Sequence, residues 1–271
     1  MRQALIGATV IDGTGAGARP DATVIIEDTK IVEISQQKKF GPEIAVYDVT
    51  GKTIMPGLID CHQHLAGWAQ WLICDQAHPL MYLAAKGVMA MRACLEVGCT
   101  TVRDLGGMEA GYVQAQRDGI IPGPRLQTCV NQIQPTGGLL DYMPGVGGAI
   151  SPQGHTLTVP GVPTIWADGP HECRKKVREM LRYGAQVIKI FNSPHPAARP
   201  WLDPWRSLWT KEELDAIVDE AHKAGVTVTC HATSALAVME SLQGGVDCIE
   251  HGVGMDDECL AEMVKRGVWW V

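Results

Sequence analysis

No stretch of this chain approaches the roughly 18 apolar residues that a membrane helix needs, and the N-terminus has no apolar core of a secretory signal. A membrane is therefore not an expected partner. Nor is there a lysine- or arginine-rich stripe. The 23 basic residues face 30 acidic ones, a formal charge of −7, so nucleic acid is not an expected partner either. CxxC spacing is absent. The nine cysteines are scattered and odd in number, and Cys61, Cys94 and Cys230 sit inside strand- or helix-like runs. That pattern predicts reduced, mostly structural thiols in a cytoplasmic protein. The Gly-rich segment 137–148 lacks the Gly-Lys-[Ser/Thr] ending of a phosphate loop, which gives nucleotide binding no support. Internal repeats of about 20–50 residues are also missing.

At 271 residues and 46% hydrophobic, the chain can bury a sizeable core and is long for one ordinary domain. It divides near residue 53. Residues 1–53 hold short strand-like pieces (Leu5–Ile11, Thr23–Glu27, Ile31–Ile34, Ala45–Val49), with Asp28-Thr29-Lys30 as a hairpin turn. They suggest part of a small β-sandwich without visible chemistry. From residue 54 to 271 the rhythm changes. Expected strands are Ile54–His62, Thr100–Arg103, Arg125–Cys129, Val187–Phe191, Val226–His231 and Cys248–His251. Helical patterns lie between them at Ala84–Glu96, His171–Tyr183, Lys211–Ala224 and Asp257–Arg266. Such alternation implies an α/β fold with a parallel sheet, and a (β/α)8 TIM barrel leads.

Histidines stand where a barrel would present functional groups, at the C-terminal ends of strands. His62 and His64 close the first strand, and alternation along a strand points them to the same side. His231 ends Val226–Cys230, and His251 ends Asp247–Glu250. One such residue is commonly a hydrogen-bonded core histidine. Four at successive strand exits suggest metal ligation. Lys189 lies inside Val187-Ile188-Lys189-Ile190-Phe191, where desolvation favours the neutral amine. A neutral amine reacts with carbon dioxide to give a carbamate, whose two oxygens could bridge an ion held by His62 and His64 and another held by His231 and His251. The alternative for Lys189 is a side chain that snorkels out or pairs with an acid.

These residues sit in longer segments: PGLIDCHQHL (56–65), GCTTVRDLGG (98–107), GPRL (123–126), GAQVIKIF (184–191), EELDAIVDEAHKAGVTVTCHATS (212–234) and GGVDCIEHG (244–252). Together they resemble the amidohydrolase superfamily, in its imidazolonepropionase-like branch, which includes Xaa-Pro dipeptidases and hydrolases of amide, urea and carbamate xenobiotics. The resemblance implies a metal-dependent hydrolase that cleaves a C–N bond of an amide, carbamate or dipeptide with metal-activated hydroxide. It implies two divalent ions per site, zinc first with cobalt, manganese or iron as substitutes. The implied metal ligands are His62, His64, Lys189 as its carbamate, His231 and His251. A homo-oligomer acting on a small-molecule substrate is the expected form.

Two departures from the family pattern stand out. Relatives carry a further strand ending in an aspartate that binds metal and handles the proton of the attacking water. This sequence reaches Val271 within what reads as the seventh strand, so that aspartate is expected beyond Val271, on a C-terminal fragment or second chain that completes the barrel. The chain alone is then expected to be inactive. Asp104 is a weak substitute, since Arg103-Asp104 reads as a structural pair. Second, Leu139 stands where relatives place a histidine after two glycines, which makes substrates with a carboxylate less certain. Loops after the strands carry the candidates for substrate contact: Trp68 and Trp71, then His195, Trp201, Trp205 and Trp209 within Asn192–Trp209. These tryptophans fit an aromatic lid and equally well a cover over the barrel mouth or an oligomer interface. A deaminase of the same superfamily and a non-catalytic assembly subunit are the alternatives.

Overall fold

The structure, a computed structural model, describes residues 1–66, 80–139, 164–194 and 202–271. The calls on Trp68, Trp71, His195 and Trp201 fall outside the described residues. The chain forms two compact units, Met1–Leu58 and Ile59–Val271.

The first unit is one five-stranded sheet of β1 (Arg2–Val10), β2 (Arg19–Glu27), β3 (Lys30–Ser35), β4 (Ala45–Asp48) and β5 (Thr53–Ile54). Its order is β3-β2-β1-β4, with β5 also on β1. β1 to β3 form an antiparallel meander, and β4 and β5 run parallel to β1. Small and branched residues (Ala8, Val10, Ala22, Val24) line its buried face. Asp28 turns the β2–β3 hairpin with φ of 54°, a left-handed conformation that aspartate tolerates better than most residues.

The second unit alternates strand and helix. In chain order its elements are β6 (Leu58–Gln63), α1 (Leu80–Glu96), β7 (Cys99–Asp104), α2 (Ala110–Arg117), β8 (Arg125–Thr128), β9 (Gln132–Ile133), α3 (Gly169–Arg182) and β10 (Ile188–Phe191). Then come α4 (Lys211–Lys223), β11 (Val228–Ser234), α5 (Ala235–Gln243), β12 (Cys248–Gly254), α6 (Asp257–Arg266) and β13 (Trp269–Trp270). The strands pair in the orders β6-β7-β8 and β9-β10-β11-β12-β13. The two runs join where Gln186 N donates to Thr128 O at 2.8 Å and β9 pairs with β10. β8 and β9 are thus two halves of one bent strand, kinked at Val130, whose φ of 64° is strained for a β-branched residue. This is the α/β barrel of the sequence expectation, with seven strand positions among the described residues.

The expected strand Ile54–His62 is two strands. Thr53–Ile54 pairs with β1 in the first unit, and Leu58–Gln63 opens the second. Pro56 between them has no N–H to give to a ladder, and Gly57 adds flexibility, so the extended pairing stops there.

Helix ends follow their sequence signals. Thr210 and Glu213 form a reciprocal capping box at the start of α4. α6 begins at Asp256, whose side chain accepts from Cys259 N, carries Asp257 and Glu258 in its first turn and Lys265 and Arg266 in its last, and stops at left-handed Gly267. Helix residues Val177, Met180, Ile217, Leu242 and Met263 pack against Ile188, Ile190, Val228 and Ile249 of the sheet. Because side chains alternate, Ile188 and Ile190 face this helix layer and Lys189 points to the barrel interior. None of the described helices is long and apolar enough to cross a membrane.

Candidate metal centre

The four strand-end histidines meet inside the barrel. Ring centroids lie 5.2 Å apart for His62 and His64, 4.8 Å for His62 and His251, and 4.6 Å for His231 and His251. Parallel register explains this convergence: β11 aligns His231 with Glu250, and Ala232 with His251, on β12. His251 holds a left-handed φ of 72°, the kind of backbone strain that gathers at functional sites.

Hydrogen bonds define how the first pair presents itself. His64 Nδ1 lies 2.9 Å from Gly106 O, so it carries the proton and donates. His62 Nδ1 lies 2.6 Å from Glu250 Oε2 and likewise donates to the carboxylate. Both Nε2 lone pairs are then free, and they face each other at 3.3 Å. Two lone pairs at that distance repel unless a proton or a metal ion lies between them. Two imidazoles on one tetrahedral zinc, at Zn–N of about 2.0–2.1 Å, stand about 3.3–3.4 Å apart.

Burial and mutual repulsion favour the neutral form of His64, His231 and His251, the form that binds metal. Burial brings His64 and His251 down to about 4, with the neighbouring Lys189 and His62 charges adding to the effect. Burial and Lys189 push His231 well below the ordinary imidazole range. Lys189 is 1% exposed, and its Nζ has no hydrogen-bond partner. It does not snorkel; among the described residues it makes no ion pair, and its Nζ stands 5.6 Å from the centre of the Phe191 ring. Desolvation lowers its pKa from 10.5 to about 8, against the pull of the Glu250 charge.

Among the described residues, no three His, Cys, Asp or Glu side chains form a finished cage for one ion. The four histidines instead form a chain of ring contacts, near a lysine amine that has no hydrogen-bond partner among the described residues. Two imidazoles are too few to hold an ion tightly, and the oxygens that a carbamate on Lys189 would add are the donors the set lacks. On donor chemistry the residues fit a divalent centre.

Glu250 is the functional residue that sequence reasoning missed. Its side chain is fully buried and takes hydrogen bonds from His62, from Arg103 Nη2 at 2.6 Å and from the Thr229 hydroxyl. Desolvation would raise its pKa, but these donors and the Lys189 charge bring it to about 2. The expected Arg103–Asp104 pair does not form. Arg103 turns to Glu250, while Asp104 accepts from the backbone N–H groups of Leu65 (2.7 Å), Gly106 (3.1 Å) and Met108 (3.0 Å). Asp104 thereby fixes the turn that carries Gly106 O to His64.

Asn192 is a second residue without a sequence signal. Its Oδ1 accepts from Leu208 N and Trp209 N, both at 3.0 Å, and its Nδ2 donates to Ala237 O and Ser241 Oγ. It pins the end of the long loop to the barrel. Trp209 is buried in the core and Trp205 is exposed. His222 pairs with Asp247 at 2.8 Å, a structural role. Phe191 stands edge-on to His231 with centroids 5.4 Å apart. Behind it, Ile165, Leu139, Trp166 and Leu208 form an apolar cluster.

Residues 53–271 match the model of the amidohydrolase family. The chain belongs to the amidohydrolase family. Ochratoxinase of Aspergillus niger is 30% identical over 233 residues, which cover 80% of this chain and 47% of ochratoxinase. The solved structure of a prolidase complexed with N-methylphosphonate-L-proline aligns with a TM-score of 0.86 at 31% identity. It covers 100% of this chain and 65% of the prolidase chain. A Xaa-Pro dipeptidase with bound methionine in its active site aligns with a TM-score of 0.82 at 26% identity, covering 100% of this chain and 66% of its own. The chain thus spans about half the length of the curated amidohydrolase relative and about two-thirds of the solved ones.

Proposed function

We propose that this amidohydrolase chain carries the metal-binding part of a hydrolase that cleaves the C–N bond of an amide, carbamate or dipeptide. One observation carries the proposal. Two imidazoles, each with Nδ1 already committed, aim their Nε2 atoms at one another beside a buried lysine amine that has no hydrogen-bond partner among the described residues. His62 and His64 would hold one ion and His231 and His251 a second, and Lys189, as its carbamate, would add oxygen donors to them. Zinc suits the imidazole donors, with cobalt, manganese or iron as substitutes. When bound, such ions polarise the scissile carbonyl and lower the pKa of water to about 7.

The chain's own residues orient and shield. Glu250 and Gly106 O hold the first two rings in the tautomer that leaves Nε2 free. Phe191 and the Leu139–Ile165–Trp166–Leu208 cluster supply an apolar wall near His231. That wall favours a substrate with a hydrophobic side over one that needs a polar contact there. Glu250 is engaged by His62, Arg103, Thr229 and Cys248, and Asp104 by three backbone N–H groups, so neither is free to carry the water's proton. We assign that step to a further acidic group; the relatives are longer than the part this chain matches. The names of the solved relatives, prolidase and Xaa-Pro dipeptidase, support Xaa-Pro dipeptides as the first substrates to try.

The test is a screen of the protein against N-acyl amino acids, Xaa-Pro dipeptides and aryl amides, with and without chelator. Chelator-sensitive release of an amine is expected. Ammonia release from a ring amidine would indicate the deaminase alternative, and hydrolysis indifferent to chelation would contradict the metal site.

A further inference from the structure

Glu250 and Arg103 have no place among the metal donors, yet their contacts are sorted in a particular way. Glu250 Oε1 takes Arg103 Nη2 at 2.6 Å, the Thr229 hydroxyl and the Cys248 thiol at 3.5 Å. Oε2 faces His62 Nδ1 at 2.6 Å. Arg103 is itself held, with its Nε on Cys61 O at 2.6 Å. A buried ion pair that merely braced β7 against β12 would need Oε1 alone. The commitment of Oε2 to His62 is the part that bracing leaves unexplained.

We propose that Arg103 and Glu250 form a positioning relay that sets the tautomer of His62 and so makes its Nε2 a metal donor. Arg103 fixes the carboxylate, the carboxylate holds the proton on Nδ1, and Nε2 is left as a lone pair facing His64. Outer partners of this kind orient metal-binding histidines, and their loss commonly costs about 10–100-fold in metal affinity. The relay rests on the metal-hydrolase proposal for its purpose, but its tautomer is measurable without any metal.

Glu250→Gln separates positioning from bracing. The amide keeps the shape of the side chain. Arg103 can only donate, so the amide oxygen turns towards it and the NH2 turns towards His62. His62 must then accept at Nδ1 and carry its proton on Nε2, where it cannot bind metal. Removing the guanidinium frees the amide to rotate, because the Thr229 hydroxyl can accept as well as donate. The double variant Arg103→Met/Glu250→Gln therefore regains the original tautomer.

The experiment is zinc titration against a competing chelator, together with nitrogen-15 NMR of histidine-labelled, metal-free protein, with His62 assigned from a His62→Gln sample. The wild type should show His62 as the Nδ1–H tautomer. Glu250→Gln should show Nε2–H and zinc affinity lower by about 10–100-fold. The double variant should recover both in part, a rescue that loss of a structural brace would not produce. Wild-type zinc affinity with an unchanged tautomer in Glu250→Gln would overturn the relay and leave the hydrolase proposal standing. If Glu250→Gln does not fold, the wild-type spectrum decides: an Nε2–H tautomer for His62 overturns the relay. A wild type that binds no zinc would fail the hydrolase proposal, while the spectrum still decides the relay.

Discussion

His62 Nδ1 lies 2.6 Å from Glu250 Oε2, across 188 residues of chain and between strands β6 and β12. That contact ties the first strand of the barrel to its sixth strand position and commits one face of the imidazole, leaving the other for a ligand. The same logic repeats at His64 with Gly106 O. Both contacts make sense as preparation for a metal, and each has measurable consequences around it.

Lys189 is expected to be a stability cost kept for function. Lys189→Met retains the length of the side chain and removes a buried amine that has no hydrogen-bond partner among the described residues. The metal-free variant should gain about 1–3 kcal/mol in urea unfolding. The same variant should lose one of the two ions. A variant less stable than the wild type in the metal-free state would indicate that Lys189 braces the barrel.

Gly106 must be glycine. Its φ of 135° is rarely open to other residues, and a Cβ there would collide with the Gln132 side-chain amide. Gly106→Ala should cost about 2–3 kcal/mol in unfolding experiments. It should also weaken zinc binding through His64, because the displaced carbonyl no longer fixes that ring. Unchanged stability would show that the turn has room to relax.

Asp104 predicts a pH dependence. Burial raises its carboxyl to about 6, against three backbone N–H groups that pull it down, while the unfolded group titrates near 3.8. Its contribution to stability is therefore full below pH 3.8 and is lost as pH rises through about 6. Between about pH 4 and about pH 7, the wild type should lose about 2 kcal/mol relative to Asp104→Asn, as read by urea midpoints. A difference that stays flat with pH, or runs the other way, would mean that the backbone donors outweigh desolvation.

Thr210→Ala is the matching control away from the metal centre. It breaks the capping box of α4 and should cost about 1 kcal/mol while leaving zinc affinity unchanged. A change in zinc affinity would show that α4 stability is coupled to the site.

The parts of this site that could be read from sequence share one physical feature: a polar group set in an apolar strand. Lys189 among Val187, Ile188, Ile190 and Phe191 is conspicuous because an isolated charge there is costly, and the histidines end equally apolar runs. Glu250 follows Cys248 and Ile249 and meets the same criterion, but its place directly before His251 hides it. Its partners Arg103 and His62 are remote in sequence, so pattern alone could not supply them. Asn192 is invisible for the same reason, since its worth lies in backbone groups of Leu208, Trp209 and Ala237. Long periodic helices and the barrel alternation were legible. Short α2 and α5 were not, nor was the break at Pro56, where apolar residues on both sides hide a change of sheet.

The most direct test of the two-ion site is metal content per chain, measured by elemental analysis after zinc loading in bicarbonate and removal of free ion. The wild type should hold about two equivalents, and His62→Asn/His64→Asn about one. A wild type that retains no zinc, or a double variant that retains as much as the wild type, would contradict the assignment of His62 and His64 as metal ligands.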